Sequence, residues 1–169
     1  MKKVLLSITL ASCLFITGCG EKKVELEKNI SDNINIDEKG AALVCVSDND
    51  YTELEYVIGS KYVVWVDKDK KVTKIISSEI ISSSDKTKLD EFENYLSENH
   101  EIASQYDGYE YDIKREKNKV TSRVEIDYSK FDLQKFDEEN DSVNSSDINL
   151  TLDSVEKKYV SLGAKCTRK

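Results

Sequence analysis

The chain has 169 residues, of which 38% are hydrophobic and 34% charged, and its formal net charge is −8. This length suffices for one domain with a stable core, and the regular patterning of the apolar residues favours a folded domain over a disordered chain. An acidic chain repels nucleic-acid phosphates, and the sequence has no basic stripe with stacking aromatic residues, so we expect no binding to DNA or RNA.

Residues 1–18 have the layout of a bacterial signal peptide. Two lysines at positions 2 and 3 precede an apolar run over residues 4–16, which is too short to span a bilayer comfortably. The run leads into Ile-Thr-Gly-Cys, which resembles the lipobox of bacterial lipoproteins. The resemblance implies cleavage between Gly18 and Cys19 and a diacylglyceryl thioether on the Cys19 thiol. We therefore expect a protein that is lipid-anchored in the cell membrane through Cys19 and faces the outside of the cytoplasm.

Residues 19–40 predict the lipidated cysteine followed by a flexible tether. This stretch is charged, rich in Asn and Asp, and shows no sustained hydrophobic period. Gly40 marks the expected boundary, so residues 41–169 form the predicted single domain.

The first half of that domain predicts an antiparallel meander of four short strands. Four β-branched runs, some with alternating apolar residues, carry this prediction: AALVCVS from residue 41, YTELEYVIGS from 51, KYVVWV from 61 and VTKIISSEIIS from 72. The polar loop DKDKK between the last two runs is typical of a hairpin with a longer turn.

The second half predicts a helix, a hairpin and a second helix. Ser84 or Asp85 caps a helix that runs to His100, a hairpin follows over residues 108–129, and Thr151 caps a helix that ends at Gly163. FDLQKF, from residue 131, has the pattern of one further helical turn. The predicted fold is α+β, an antiparallel sheet made of a meander and a hairpin, with two helices packed on one face.

The lipobox, the hairpin, VEIDYSKFDLQKF at 124–136 and SVEKKYVSLGAKC at 154–166 together resemble the small YehR-like lipoproteins of bacteria. The resemblance implies a β-meander, a helix, a hairpin and a C-terminal helix after the lipidated cysteine. The shared motifs are apolar and aromatic patterns without a chemical signature, so no catalytic or binding residue is implied.

The sequence offers few residues for catalysis. His100 is the single histidine, and neither a nucleophile elbow, an HExxH or CxxC motif, nor a glycine-rich phosphate loop occurs. The stretch from Asp137 places oxygen ligands at positions 1, 3 and 5 of a calcium loop, but it lacks the glycine and has Ile148 in place of the closing glutamate. We therefore expect a protein that is not an enzyme and has no cofactor or metal.

Several aromatic residues allow two interpretations: Tyr62, Trp65, Tyr106, Tyr109 and Tyr111. They could form a face that binds a sugar or a peptide. Tyrosine also suits half-buried strand positions, where the ring packs and the hydroxyl reaches the rim, and we favour this structural interpretation.

Two cysteines remain once Cys13 is removed with the signal and Cys19 is acylated. Cys45 and Cys166 both lie outside the reducing cytoplasm, and we expect them to form a disulfide; the alternative is two independent thiols.

We therefore expect a monomeric, membrane-anchored module that acts by binding or envelope maintenance. Its partner is an envelope protein or a small molecule. The alternatives are a small-ligand receptor and a cell-surface enzyme. An apolar pocket with converging polar groups would favour the receptor, whereas a filled core with an exposed sheet face would favour an interaction module.

Overall fold

A computed structural model describes residues 29–140 and 150–169. These residues form one six-stranded antiparallel sheet with the strand order β4-β5-β3-β2-β1-β6. The strands are β1 (Leu43–Tyr51), β2 (Tyr56–Val66), β3 (Val72–Ser83), β4 (Tyr109–Arg115), β5 (Lys119–Asp127) and β6 (Lys165–Arg168). The helices are α1 (Lys86–Ala103), α2 (Leu133–Asn140) and α3 (Leu152–Ser161).

The predicted α+β fold is confirmed, with three corrections to its elements. The predicted second and third strands are one strand, β2, because residues 59–61 keep their pairing with both β1 and β3. The FDLQKF turn belongs to a two-turn helix, α2, so the described residues contain three helices rather than two. The C-terminal residues form β6, which pairs with β1 and is too short, at four residues, to show a period in the sequence.

The three helices cover one face of the sheet and bury three apolar clusters. Leu152, Val155 and Tyr159 of α3 pack on β1, β2 and β3. Leu89 and Leu96 of α1 pack on β2, β3 and β5. The third cluster surrounds the end of α1 and the start of α2, and contains Ala103, Tyr109, Val124, Ile126, Phe131 and Phe136. This layered arrangement follows from the two periods in the sequence, close to 3.6 in the helices and 2 in the strands.

The opposite face of the sheet is partly covered by residues 29–41, which we call the strap. Ile30, Ile34 and Ile36 of the strap are at most 5% exposed, and they pack against valines and isoleucines of β1, β2 and β3. The predicted tether is therefore wrong for residues 29–40, and the folded unit includes them. Their spacing of four and then two residues fits neither a helix nor a strand, which is why the sequence pattern gave no signal. Residues 19–28 lie outside the described residues.

A close approach of two backbones holds the strap in place. A Cβ atom on Gly59 of β2 would lie 2.5 Å from the Ser31 backbone nitrogen and 2.6 Å from Ile30 Cγ1, so only glycine fits. Asp48 of β1 accepts hydrogen bonds from the Ser31 backbone N–H at 2.9 Å and from the Ser31 hydroxyl. Trp65 donates from Nε1 to the Lys39 carbonyl at 3.1 Å, which fixes the other end of the strap.

The two predicted disulfide partners lie opposite each other at one side of the sheet. Cys45 of β1 pairs with Cys166 of β6, with 4.0 Å between their Cα atoms and their sulfur atoms at disulfide distance. The pair is separated by 121 residues along the chain, so a covalent bond here joins the first strand to the last. The predicted proximity of the two cysteines is confirmed.

We expect Gly59→Ala to loosen the strap, because the added methyl group overlaps the Ser31 backbone. The expected loss of stability is about 1–3 kcal/mol in urea unfolding. Trypsin should also cleave the native variant after Lys39 faster than the wild type.

Gly163→Ala is the matched control, since Gly163 also has a positive φ of 87° but nothing within 4 Å of the added Cβ. It should cost stability through backbone strain without loosening the strap around Lys39. Equal cleavage of both variants would contradict the role of Gly59.

We expect reduction of the Cys45–Cys166 pair to lower the melting temperature of the protein. Chain-entropy reasoning for a loop of this length gives a ceiling of roughly 4–5 kcal/mol. Membrane attachment through the thioether expected at Cys19 should not change, since a thioether is not reducible. Two free thiols detected in unfolded, unreduced protein would refute the disulfide.

Candidate functional site

The structure brings together one pair of the predicted site residues. Cys45 and Cys166 are joined at the sheet edge, where Cys45 is fully buried and Cys166 half-buried. Gly18 and Cys19 lie outside the described residues. Residues 137–140 of the calcium-like stretch belong to α2, and the rest of it is not described. Within the described ranges no group of three His, Cys, Asp or Glu residues could hold a metal ion.

The aromatic residues considered for a binding face do not share one surface. Trp65 lies on the strap side, where Lys74 Nζ stands 4.8 Å from its ring centroid. Tyr62 lies on the helix side and stacks on Tyr159 at 4.2 Å between ring centroids. Tyr109 is buried, and its hydroxyl lies 2.7 Å from His100 Nδ1. Tyr62 and Tyr109 therefore serve as packing residues, whereas Tyr111 is 36% exposed.

His100 is part of this packing. Burial lowers the pKa of its imidazole, and the centroid of the ring lies 6.1 Å from that of Tyr109 and 5.4 Å from that of Tyr111. This environment fits a structural histidine.

A polar groove lies on the half of the sheet that the strap leaves uncovered. One wall is Asn33, Ile34 and Asn35 of the strap, and the floor includes Ser78 and Ile80 of β3. The other residues come from β4, β5 and the turn between them: Asp112, Lys114, Glu116, Lys119, Thr121 and Arg123. The cavity has a volume of 310 Å³.

Strand alternation explains why the groove is polar. Ser122 and Val124 of β5 face the helices, so Thr121 and Arg123 face the groove, where they pair with Lys114 and Asp112 of β4. On β5 the helix-facing residues are buried and the groove-facing residues are half-buried, and on β4 the groove-facing Asp112 and Lys114 are exposed. The same sheet thus carries an apolar layer and a charged surface on its two faces.

The charges of the groove are paired only loosely. Lys114 Nζ lies 3.3 Å from Asp112 Oδ2, and Arg123 Nη2 lies 3.7 Å from Glu125 Oε2, with all four side chains substantially exposed. Exposed pairs of this kind contribute little to stability. These side chains can therefore exchange their present partners for groups of a bound molecule.

A second polar feature, which we call the Glu79 recess, lies at the centre of the helix-side face. Glu79 of β3 is half-buried, and its cross-strand neighbours on this face are Ser60 of β2 and Ser122 of β5, both buried. Tyr62 lies diagonally across from Glu79 on β2. Glu79, Ser60 and Ser122 interrupt the apolar layer between the clusters of α1 and α3, and Tyr62 borders them from the α3 cluster.

Burial dominates the electrostatics of the recess. It raises the pKa of the Glu79 carboxyl to about 7. It also raises the pKa of Tyr62 to about 12, with a smaller contribution from the charge of Glu79. Among residues 29–140 and 150–169, no cation or hydrogen-bond donor contacts the Glu79 carboxyl group. Glu79 was not predicted as a site residue, although a charged residue inside the otherwise uncharged strand run IISSEII is a detectable signal.

Comparisons with known proteins provide no function or site residue that could be assigned to this chain. No family model matches the chain, and no curated protein matches it. An NMR structure of a protein from Streptococcus pneumoniae TIGR4 aligns with 94% of this chain and 100% of its own chain, at 12% sequence identity and a TM-score of 0.46. Among the described helices, none has the length and apolar character needed to cross a membrane.

We expect Glu79→Gln to remove a pH-dependent loss of stability. The folded-state pKa is raised above the usual 4.5, so the wild type is most stable below pH 4.5 and loses stability as the pH rises through about 7. The unfolding free energy of the variant minus that of the wild type should therefore be about 1–3 kcal/mol larger at pH 8 than at pH 4, as measured by urea unfolding.

Glu110→Gln is the control, because it removes the same charge from an exposed position on β4. Its unfolding free energy should follow the wild-type pH profile. A Glu79→Gln profile parallel to that of the wild type would contradict the raised pKa.

Proposed function

We propose that this protein is a lipid-anchored, non-enzymatic binding module of the bacterial cell envelope. The observation that carries the proposal is the polar groove, a charged and solvent-accessible surface of the sheet beside a well-filled core. Such a surface suits a polar or charged envelope partner better than an apolar small molecule, because its floor offers few apolar contacts.

The anchor and the groove are close along the chain. Asn29 follows Cys19 by ten positions, so even a fully extended segment holds the start of the strap within about 35 Å of the lipidated cysteine. The strap itself forms one wall of the groove. A partner within reach of the membrane surface is therefore favoured over a component far out in the envelope.

A fatty-acid label and cell fractionation test the anchor. We expect the wild type to carry the label and to sediment with membranes, whereas Cys19→Ala should remain unlabelled and uncleaved. Cys13→Ala is the matched control, since this cysteine lies in the apolar run and should leave both properties unchanged. An unlabelled wild type would refute the anchor.

A photo-crosslinking residue in place of Thr121 tests the groove in the same cells. A defined adduct should form there and weaken when Lys114→Glu is added, because the variant reverses a charge in the groove. A crosslinker in place of Tyr95, which is 49% exposed on α1, serves as the control. Identical adducts from both positions would contradict a partner at the groove.

A further inference from the structure

We propose that the open edge of β4 pairs with β4 of a second copy of this chain, so that two sheets join into one. The inference goes beyond the proposed function, because it concerns the edge of the sheet and not the partner of the groove. It also departs from the monomer expected from the sequence, since an open edge is a property of the strand order and not of any local pattern.

The hydrogen bonds of the β4–β5 hairpin show which backbone groups of β4 face outward. Near the turn the Glu116 N–H donates to the Lys119 carbonyl at 2.8 Å. At the other end the Asp127 N–H donates to the Gly108 carbonyl at 2.7 Å. Since bonded pairs alternate with non-bonded pairs along an antiparallel ladder, the even-numbered residues of β4 bond to β5. The odd-numbered residues direct their N–H and C=O groups away from β5.

Three residues of β4 leave these outward groups open. They are Tyr111, Ile113 and Arg115, whose N–H and C=O groups have no backbone partner within residues 29–140 and 150–169. The Tyr109 N–H, by contrast, donates to the Tyr106 carbonyl at 3.3 Å. An edge with three donors and three acceptors in a row is a template for pairing with another strand.

The helix above β4 leaves room for such a strand. α1 packs on β3, β4 and β5, and its Phe92 and Leu96 share an apolar cluster with Val120 of β5, the second strand from this edge. Tyr111 lies on the same face of β4 as the helix and is nevertheless 36% exposed. The helix therefore does not cover the edge at this residue.

The charges of β4 favour a second copy as the occupant. In an antiparallel pair centred on Ile113, Asp112 of each copy lies opposite Lys114 of the other, and opposite charges in this position stabilise a strand pair. Within one chain Asp112 Oδ2 and Lys114 Nζ lie 3.3 Å apart, and the two side chains are 57% and 74% exposed. Across the pair the four side chains therefore form a ring of alternating charge.

The same register satisfies the open backbone groups. Tyr111 of each copy lies opposite Arg115 of the other, and Ile113 lies opposite Ile113, so all outward N–H and C=O groups of these residues gain partners. A two-fold axis through the pair relates the copies, as in most homodimers. The neighbouring symmetric registers are less favourable, because centring on Asp112 opposes two aspartates and centring on Lys114 opposes two lysines.

The size of the contact predicts a weak dimer. One strand pair is a small interface compared with the about 1,600 Å² that a standard protein complex buries, so we expect a dissociation constant in the micromolar range or above. An anchor at Cys19, as proposed above, confines the copies to one membrane surface and raises their effective concentration.

Sedimentation equilibrium of the full chain in a density-matched detergent tests the proposal from micromolar to submillimolar concentration. We expect the wild type to approach twice the mass of one chain at the upper end. Asp112→Lys and Lys114→Asp should each raise the dissociation constant at least about tenfold, because each places like charges opposite one another. The double variant Asp112→Lys/Lys114→Asp should restore the dimer, since it only exchanges the positions of the opposite charges.

Asp69→Lys is the matched control. It makes the same change in net charge in the exposed turn between β2 and β3, so its dissociation constant should equal that of the wild type. The sample contains this chain alone, so the result is independent of the partner proposed for the groove.

Three results would overturn the proposal. The first is a wild type with the mass of one chain over the whole concentration range. The second is a dimer that neither single variant weakens, which would place the contact elsewhere on the molecule. The third is a double variant that is folded by circular dichroism and remains monomeric, which would contradict the register centred on Ile113. The first result needs no variant, so it decides the matter even if a substitution prevents folding.

Discussion

The strap depends on the absence of a side chain at Gly59. The backbone of Ser31 approaches β2 so closely there that a single methyl group would overlap it. This contact seats Ile30 in the apolar layer, and Asp48 then satisfies the Ser31 N–H and hydroxyl, which would otherwise lack partners. This arrangement gives the second face of the sheet its apolar core. The strap packs on β1, β2 and β3 and leaves β4 and β5 open, and the polar groove lies beside it there.

Ion pairs link the strap to the far end of the chain. Glu38 of the strap lies 2.8 Å from Lys61 Nζ of β2 and 3.0 Å from Lys169 Nζ at the C-terminus, and both lysines lower the pKa of its carboxyl group. Arg168 reaches from β6 to Asp153 and Glu156 of α3. Surface pairs of this kind are individually weak. Together with the Cys45–Cys166 pair, however, they hold both ends of the described chain on the β1 side of the sheet.

The parts of the fold that were predictable are those with a sustained period. The helices α1 and α3 follow from leucines and aromatics at spacings of three and four, and Asp85 and Thr151 cap them through side-chain hydrogen bonds as their sequence positions indicate. The β4–β5 hairpin follows from alternation. The strap was not predictable, because its three isoleucines are buried only by packing against a sheet formed by residues further along the chain.

The candidate sites were less accessible to sequence reasoning for a related reason. The groove combines strap residues with residues of β3, β4 and β5 that lie more than forty positions further along the chain, and no local spacing in the sequence indicates such a combination. Glu79 is detectable from the local sequence, since a charged residue at a core-facing position of a strand conflicts with the hydrophobic pattern around it. Conflicts of this kind between local pattern and global fold tend to mark functional positions. The same strand, β3, presents Glu79 to one face and Ser78 and Ile80 to the other, so a single sequence run carries the central residue of the recess and the floor of the groove.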